Sequence, residues 1–191
     1  MPEQLLSSRP LDAAWQAALP PASPTLTVSV ADGLRVLALR HLAGDAAAID
    51  EVLTAHSLPP LPGPGACLGD DPWQLWTGPA EMLLVTSNGP LADGVLAALR
   101  PGCHRLACAV DQSAGSLVFD MRGAGLDDLL SRLLDASAIP GHAGLGVRAR
   151  LMDISAVILR VGQDRALLVV DRALGGYAAQ WIGHAWHAGP G

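Results

Sequence analysis

Lysine is absent from this chain of 191 residues: all twelve of its basic residues are arginine, set against eighteen carboxylates and a formal net charge of −6. Phosphate backbones demand a concentrated positive face, so nucleic-acid binding is not expected. Cysteine is scarce as well. Cys67, Cys103 and Cys108 are an odd number at unrelated spacings, which is neither a disulfide framework nor a paired zinc-ligand pattern. A reducing, cytoplasmic setting follows as the expectation. No run approaches the roughly 18 uninterrupted apolar residues that span a bilayer, so no membrane segment is expected. Met1 to Ala14 carries Glu3, Arg9 and Asp12 instead of a basic start and an apolar run, so no cleaved leader is expected either. What the chain does have is apolar residues, half of its length, with only 16% charged. That excess predicts apolar surface covered by partners.

Pro20, Pro21 and Pro24 forbid continuation of a short helix candidate at Leu11 to Ala18, and residues 1–24 read as an arm. Strand patterns follow at Thr25 to Val30 and Leu34 to His41, then a helix at Ala46 to His56 behind an N-capping Asp45. The run from Pro59 to Gly65 can be neither helix nor central strand. Strands at Trp73 to Trp76 and Glu81 to Ser87 and a helix at Leu91 to Leu99 complete one half. The second half repeats the order. Strands at Leu106 to Val110 and Ser116 to Arg122 precede a helix at Leu126 to Leu134. Strands at Val147 to Met152, Ile154 to Val161 and Ala166 to Val170 then lead to a last helix from Leu174 to about Trp186. Gly44 corresponds to Gly123, and the Glu81 strand to the Arg165 strand, at offsets of 79 and 84 residues. These correspondences predict an α+β fold, residues 25–188, built from two duplicated split β-α-β halves. The halves, about 25–102 and 103–188, share mainly antiparallel sheets in one body.

No catalytic constellation is expected. Asp111-Gln112-Ser113-Ala114-Gly115 resembles a nucleophile elbow but lacks its first glycine and precedes a strand, not a helix. Cys103-His104 with Cys108 has no second ligand pair, and His184 and His187 read as a solvated face, so no metal is assigned. Gly123-Ala124-Gly125 would suit a phosphate, but Asp127 and Asp128 in the helix's first turn would repel one and suit the helix dipole instead. Asp70-Asp71 reads as a solvated turn. Of the five tryptophans, Trp73, Trp76 and Trp181 read as core. Trp15 lies in the arm, where an indole needs another surface, and is the candidate partner contact.

Trp76-Thr77-Gly78-Pro79-Ala80-Glu81-Met82-Leu83-Leu84, the Asp111-Gln112-Ser113 turn with Gly123 or Gly125 and Asp128-Leu129-Leu130, Val147 to Leu151, and Leu167 to Arg172 followed by Tyr177 and Trp181 form a recognisable series. Together they resemble the gamma subunit of heterotetrameric sarcosine oxidase. The similarity runs from about Leu26 to Ala185, and departs from the family at Ala114, where it has His, and at Met82, where it has Trp. The resemblance implies an aminomethyltransferase-like fold and a noncatalytic subunit that binds no cofactor alone. Its partners would be alpha and beta chains holding FAD, FMN, NAD and tetrahydrofolate, and a delta chain holding zinc. The alternative is a free-standing folate-binding protein of the same fold, for which Glu81 and Asp120 are the acids considered for holding the pterin.

Overall fold

Val-, Leu- and Ala-rich runs broken by turn residues become strands here, because β-branched and aliphatic side chains suit a pleated surface buried on both faces. The computed structural model describes residues 15–42, 46–100 and 106–187. Among them, ten strands form two five-stranded sheets. One has the order β3 (Cys67–Leu68), β4 (Trp73–Gly78), β5 (Glu81–Thr86), β2 (Arg35–His41), β6 (Ala107–Asp111). The other has the order β8 (Leu145–Leu151), β9 (Ile154–Gly162), β10 (Arg165–Asp171), β7 (Ser116–Arg122), β1 (Thr27–Val30). Neighbouring strands are antiparallel throughout.

The two orders are the same order written twice, as a duplication requires. The first strand of each half, however, pairs in the sheet of the other half: β1 lies beside β7, and β6 beside β2. The second and fifth strands correspond residue by residue, with Arg40 facing Glu81 in one sheet and Arg122 facing Arg165 in the other.

Among the described residues, four helices of eight residues or more cover the outer faces of the sheets. α1 (Ala46–Ala55) buries Ala48, Ile49, Val52 and Leu53, and α2 (Gly89–Ala98) buries Ala92 and Val95, all against Leu37, Leu39, Met82 and Leu84. The Asn88 side chain caps α2 by accepting from Leu91 N at 3.1 Å. α3 (Leu126–Leu133) presents Leu126, Leu129, Leu130 and Leu133 at helical spacing to the second sheet. α4 (Gly175–His187) buries Ala178, Ala179, Ile182 and Ala185 against the same sheet.

The inner faces pack on each other through Val36, Ala38, Leu83 and Val85 from one sheet and Val118, Val157, Leu167 and Val169 from the other. Removing a fully buried aliphatic side chain from such a layer costs about 2–5 kcal/mol. The sheets are joined beside β3 and β8 by the Ala66–Leu145 bridge. Gly146 is required at that point, because a Cβ would lie 2.2 Å from Leu75 Cδ1 and 2.9 Å from Ile158 O. β3 is a strand that sequence patterning missed. Two residues behind a proline run are too few to show alternation. Asp45, Gly44, Cys103, His104 and the arm before Trp15 lie outside the described residues.

Candidate functional site

At each end of the layer between the sheets, one carboxylate is held by two arginines. Glu81, the first residue of β5, accepts from Arg40 Nε on β2 at 2.6 Å and from Arg148 on β8 at 2.6 Å, while Thr77 Oγ1 donates to it at 3.1 Å. Burial pushes the Glu81 carboxyl up, but the bonds from Arg40 and Arg148, the Arg148 charge and the Thr77 hydroxyl outweigh it and hold the pKa below the usual range. At the opposite end, Asp120 on β7 accepts from Arg122 at 2.6 Å and from Arg165 at 3.0 Å. Burial again opposes and the two arginines again win, so Asp120 also titrates low. The Arg165 guanidinium lies 5.3 Å over the Trp73 ring.

Glu81 and Asp120, the two acids weighed for a pterin, are therefore already neutralised by the chain's own arginines. Arg148 carries its ion pair from one sheet to the other, and Arg165 on β10 stacks on Trp73 of β4, so both clusters also tie the sheets together. Asp120 accepts four guanidinium N–H bonds, about the full capacity of a carboxylate, and Glu81 accepts from three donors.

The remaining sequence candidates serve local structure. Ser113 donates through its N–H to Asp111 Oδ1 at 2.9 Å and through Oγ at 2.5 Å, and Ser113 Oγ accepts from Val36 N at 2.9 Å. The Asp111-Gln112-Ser113 stretch is thus a turn that stitches β6–β7 to β2, and Arg35 Nη2 donates to Asp111 at 2.7 Å. Asp71 accepts from Thr86 Oγ1 at 2.8 Å, from Ser87 N at 2.9 Å and from the Ser87 hydroxyl, fixing the β3–β4 loop to the end of β5. In α3, Asp128 pairs with Arg132 at 3.0 Å and Asp127 pairs with Arg160. Gly123 has φ 127° and its Cβ would meet Thr25 O at 2.3 Å, so the glycine serves the crossing of two backbones. His184 and His187 are exposed, and His184 ends an edge-to-face series with Trp181 and Tyr177. Among the described residues, no group of three or more His, Cys, Asp or Glu side chains is placed to hold a metal ion.

Trp15 needs correction. Its ring is only 7% exposed and packs in the core cluster of the second sheet. It lies close against Gly175 and Gly176 at the start of α4, with Arg172 6.0 Å from its centroid. Glycines there leave room for the indole, so the covering surface is this chain's own, not a partner's.

Arg160 was missed. It is fully buried on β9, in phase with Ala156 and Ile158 toward the helices, and it donates to Asp127, to Gly162 O at 3.1 Å and to Gln163 O. Strand alternation places position 160 on the buried face, and a helix acid is the partner such an arginine needs.

A cavity of about 340 Å³ lies where the β1–β2 and β6–β7 connections pass between the sheets, lined by Val30, Asp32, Arg35, Asp111, Ser113 and Arg172 among others. Arg35 is committed to Asp93 and Asp111, and Arg172 donates to Ala114 O and Ser116 O. These bonds organise the walls of the cavity around the chain itself.

No family model and no curated protein matches the chain. Solved structures do. A chain of the heterotetrameric sarcosine oxidase from Corynebacterium sp. U-96, in complex with pyrrole 2-carboxylate, superposes with a TM-score of 0.75 at 23% identity, over 93% of this chain and 91% of that one. The glycine cleavage system aminomethyltransferase T from Bartonella henselae superposes with a TM-score of 0.56 at 13% identity, over 92% of this chain but 49% of the enzyme. The chain has the aminomethyltransferase-like α+β fold, and it is similar in extent to one chain of a multisubunit sarcosine oxidase.

Proposed function

We propose that this chain is a noncatalytic, gamma-type subunit of a heterotetrameric sarcosine oxidase, or of a related flavoenzyme that oxidises N-methyl amines in tetrahydrofolate-linked one-carbon metabolism. The observation that carries the reading is the reciprocal match in length: the two chains cover 93% and 91% of each other, so the likeness is to a whole chain of that complex. The engagement of Glu81, Asp120, Asp111 and Asp71 within the chain supports a structural role. FAD, FMN, NAD, tetrahydrofolate and zinc would then belong to alpha, beta and delta partners.

The likeness to an aminomethyltransferase favours a second reading, a free-standing folate-binding protein. One experiment separates the two: gentle affinity purification of the tagged chain from its own cells, with mass spectrometry and an absorbance scan. Larger flavin-bearing chains in fixed ratio are the expected result. A colourless chain that elutes alone and binds tetrahydrofolate tightly would overturn the subunit reading.

A further inference from the structure

The inner face of the first sheet is not covered to its edge. Beyond Ala38, which is fully buried between the sheets, the face continues onto β6, where Cys108 stands opposite Arg40 and Val110 opposite Ala38. Leu42 and Leu106 follow, joined by Leu42 N donating to Leu106 O at 2.7 Å. Leu42 is 62% exposed, and Leu106 and Val110 are 41% exposed each. In the other sheet, the same positions on β1, opposite Arg122 and Asp120, are Thr27 and Ser29, both exposed. The fold therefore tolerates polar side chains at this edge. Apolar ones on β6 are a property of that half alone, and they form a continuous stripe.

The rim of the stripe is positive at its Arg40 end. Arg40 and Arg148 share the single carboxylate of Glu81 while their side chains remain 51% and 47% exposed, leaving one net positive charge. Arg100, exposed after α2, follows Leu99, whose carbonyl accepts from Ala109 N of β6 at 3.0 Å. Two copies of this chain meeting face to face would bring these arginines together, which disfavours self-association. A nucleic acid would leave the leucines and valine wet.

We infer that the Leu42–Leu106–Val110 stripe with its Arg40–Arg148 rim is a docking surface for a partner protein that presents apolar side chains flanked by carboxylates. This rests on the subunit reading and names the face through which the chain would join its complex. The outer edge of β6 is partly capped by Leu99, so contact would run through side chains more than through an added strand.

The test is purification from the native cells of the tagged wild-type chain and of Val110→Asp, Leu42→Ser and Ser29→Asp, with flavin absorbance and subunit ratios as readouts and a thermal melt of each variant as the folding control. Wild type and Ser29→Asp should bring down the flavin-bearing chains equally. Val110→Asp and Leu42→Ser should recover about tenfold less, the effect of losing an interface anchor. Leu42→Ser guards against misfolding, since a side chain so exposed adds little to the core. Variants that keep their flavin-bearing partners at wild-type ratio would overturn the docking surface and leave the subunit reading intact. A wild-type chain that elutes without partners would fail the subunit reading and the surface with it. A wild-type dimer that Val110→Asp converts to monomer would make a second copy the occupant, and overturn the acidic partner.

Discussion

Arg160 and Asp127 form an asymmetric pair, and the asymmetry sets an order of mutational effects. The guanidinium is fully buried, whereas the Asp127 side chain is 65% exposed. Asp127→Ala leaves a buried cation with only the Gly162 and Gln163 carbonyls. Breaking a buried pair from one side costs about 3–5 kcal/mol, and water near position 127 places this case at the low end, about 3 kcal/mol. At roughly 2–4 °C per kcal/mol for a chain of this size, the melting temperature should fall by about 6–12 °C. Arg160→Met removes the charge and fills most of its volume. Asp127 then returns to water, and the two deserted carbonyls lie near the exposed β9–β10 turn, for a cost of about 1 kcal/mol and 2–4 °C. With the cation gone, the double variant should melt like Arg160→Met alone. Thermal unfolding followed by circular dichroism reads all three. If Arg160→Met proves more damaging than Asp127→Ala, or if the two losses add in the double variant, the reasoning fails.

Other outcomes follow from the same geometry. Trp15→Ala should cost about 3–5 kcal/mol in a urea titration, as for a core aromatic; a change confined to partner recovery, with stability untouched, would restore the interface role. Glu81, Asp120, Asp111 and Asp71 are all held below the usual carboxylate range, so each stabilises the fold above its unfolded value near 4. That contribution is lost as pH falls from about 4 through the depressed folded values, and denaturant midpoints measured from pH 7 downward should drop in that window. Burial pushes the Cys67 thiol up to about 11, so it should ignore thiol reagents at pH 8, and Cys67→Ala should leave the count of fast-reacting thiols unchanged. Gly146→Val should destabilise by about 1–3 kcal/mol, because its side chain has no space beside Leu75.

Local pattern made most elements legible. The aliphatic strands and the leucine spacing of α3 are each written within a few residues, and their boundaries came out within one or two positions. Pairing across the chain was not legible, because nothing in Thr27–Val30 distinguishes β7 from β2 as its neighbour. The candidate site suffered in the same way. Glu81 and Asp120 read as available acids only while their arginines, up to 67 residues away, were out of sight. Trp15 read as an arm residue because Pro20 and Pro21 suggest a detached segment, whereas the chain turns there and lays the indole on Gly175 and Gly176.

The placement of β1 and β6 also bears on origin and folding. If the two halves were separate molecules, each would complete its sheet only by lending its first strand to its neighbour, which is the arrangement of a strand-swapped dimer. Fusing the copies in tandem turns that intermolecular exchange into an intramolecular one. Cleavage between α2 and β6 should therefore release no autonomous half: the fragments would remain associated, and mixing them after separate unfolding should regenerate one cooperative unit.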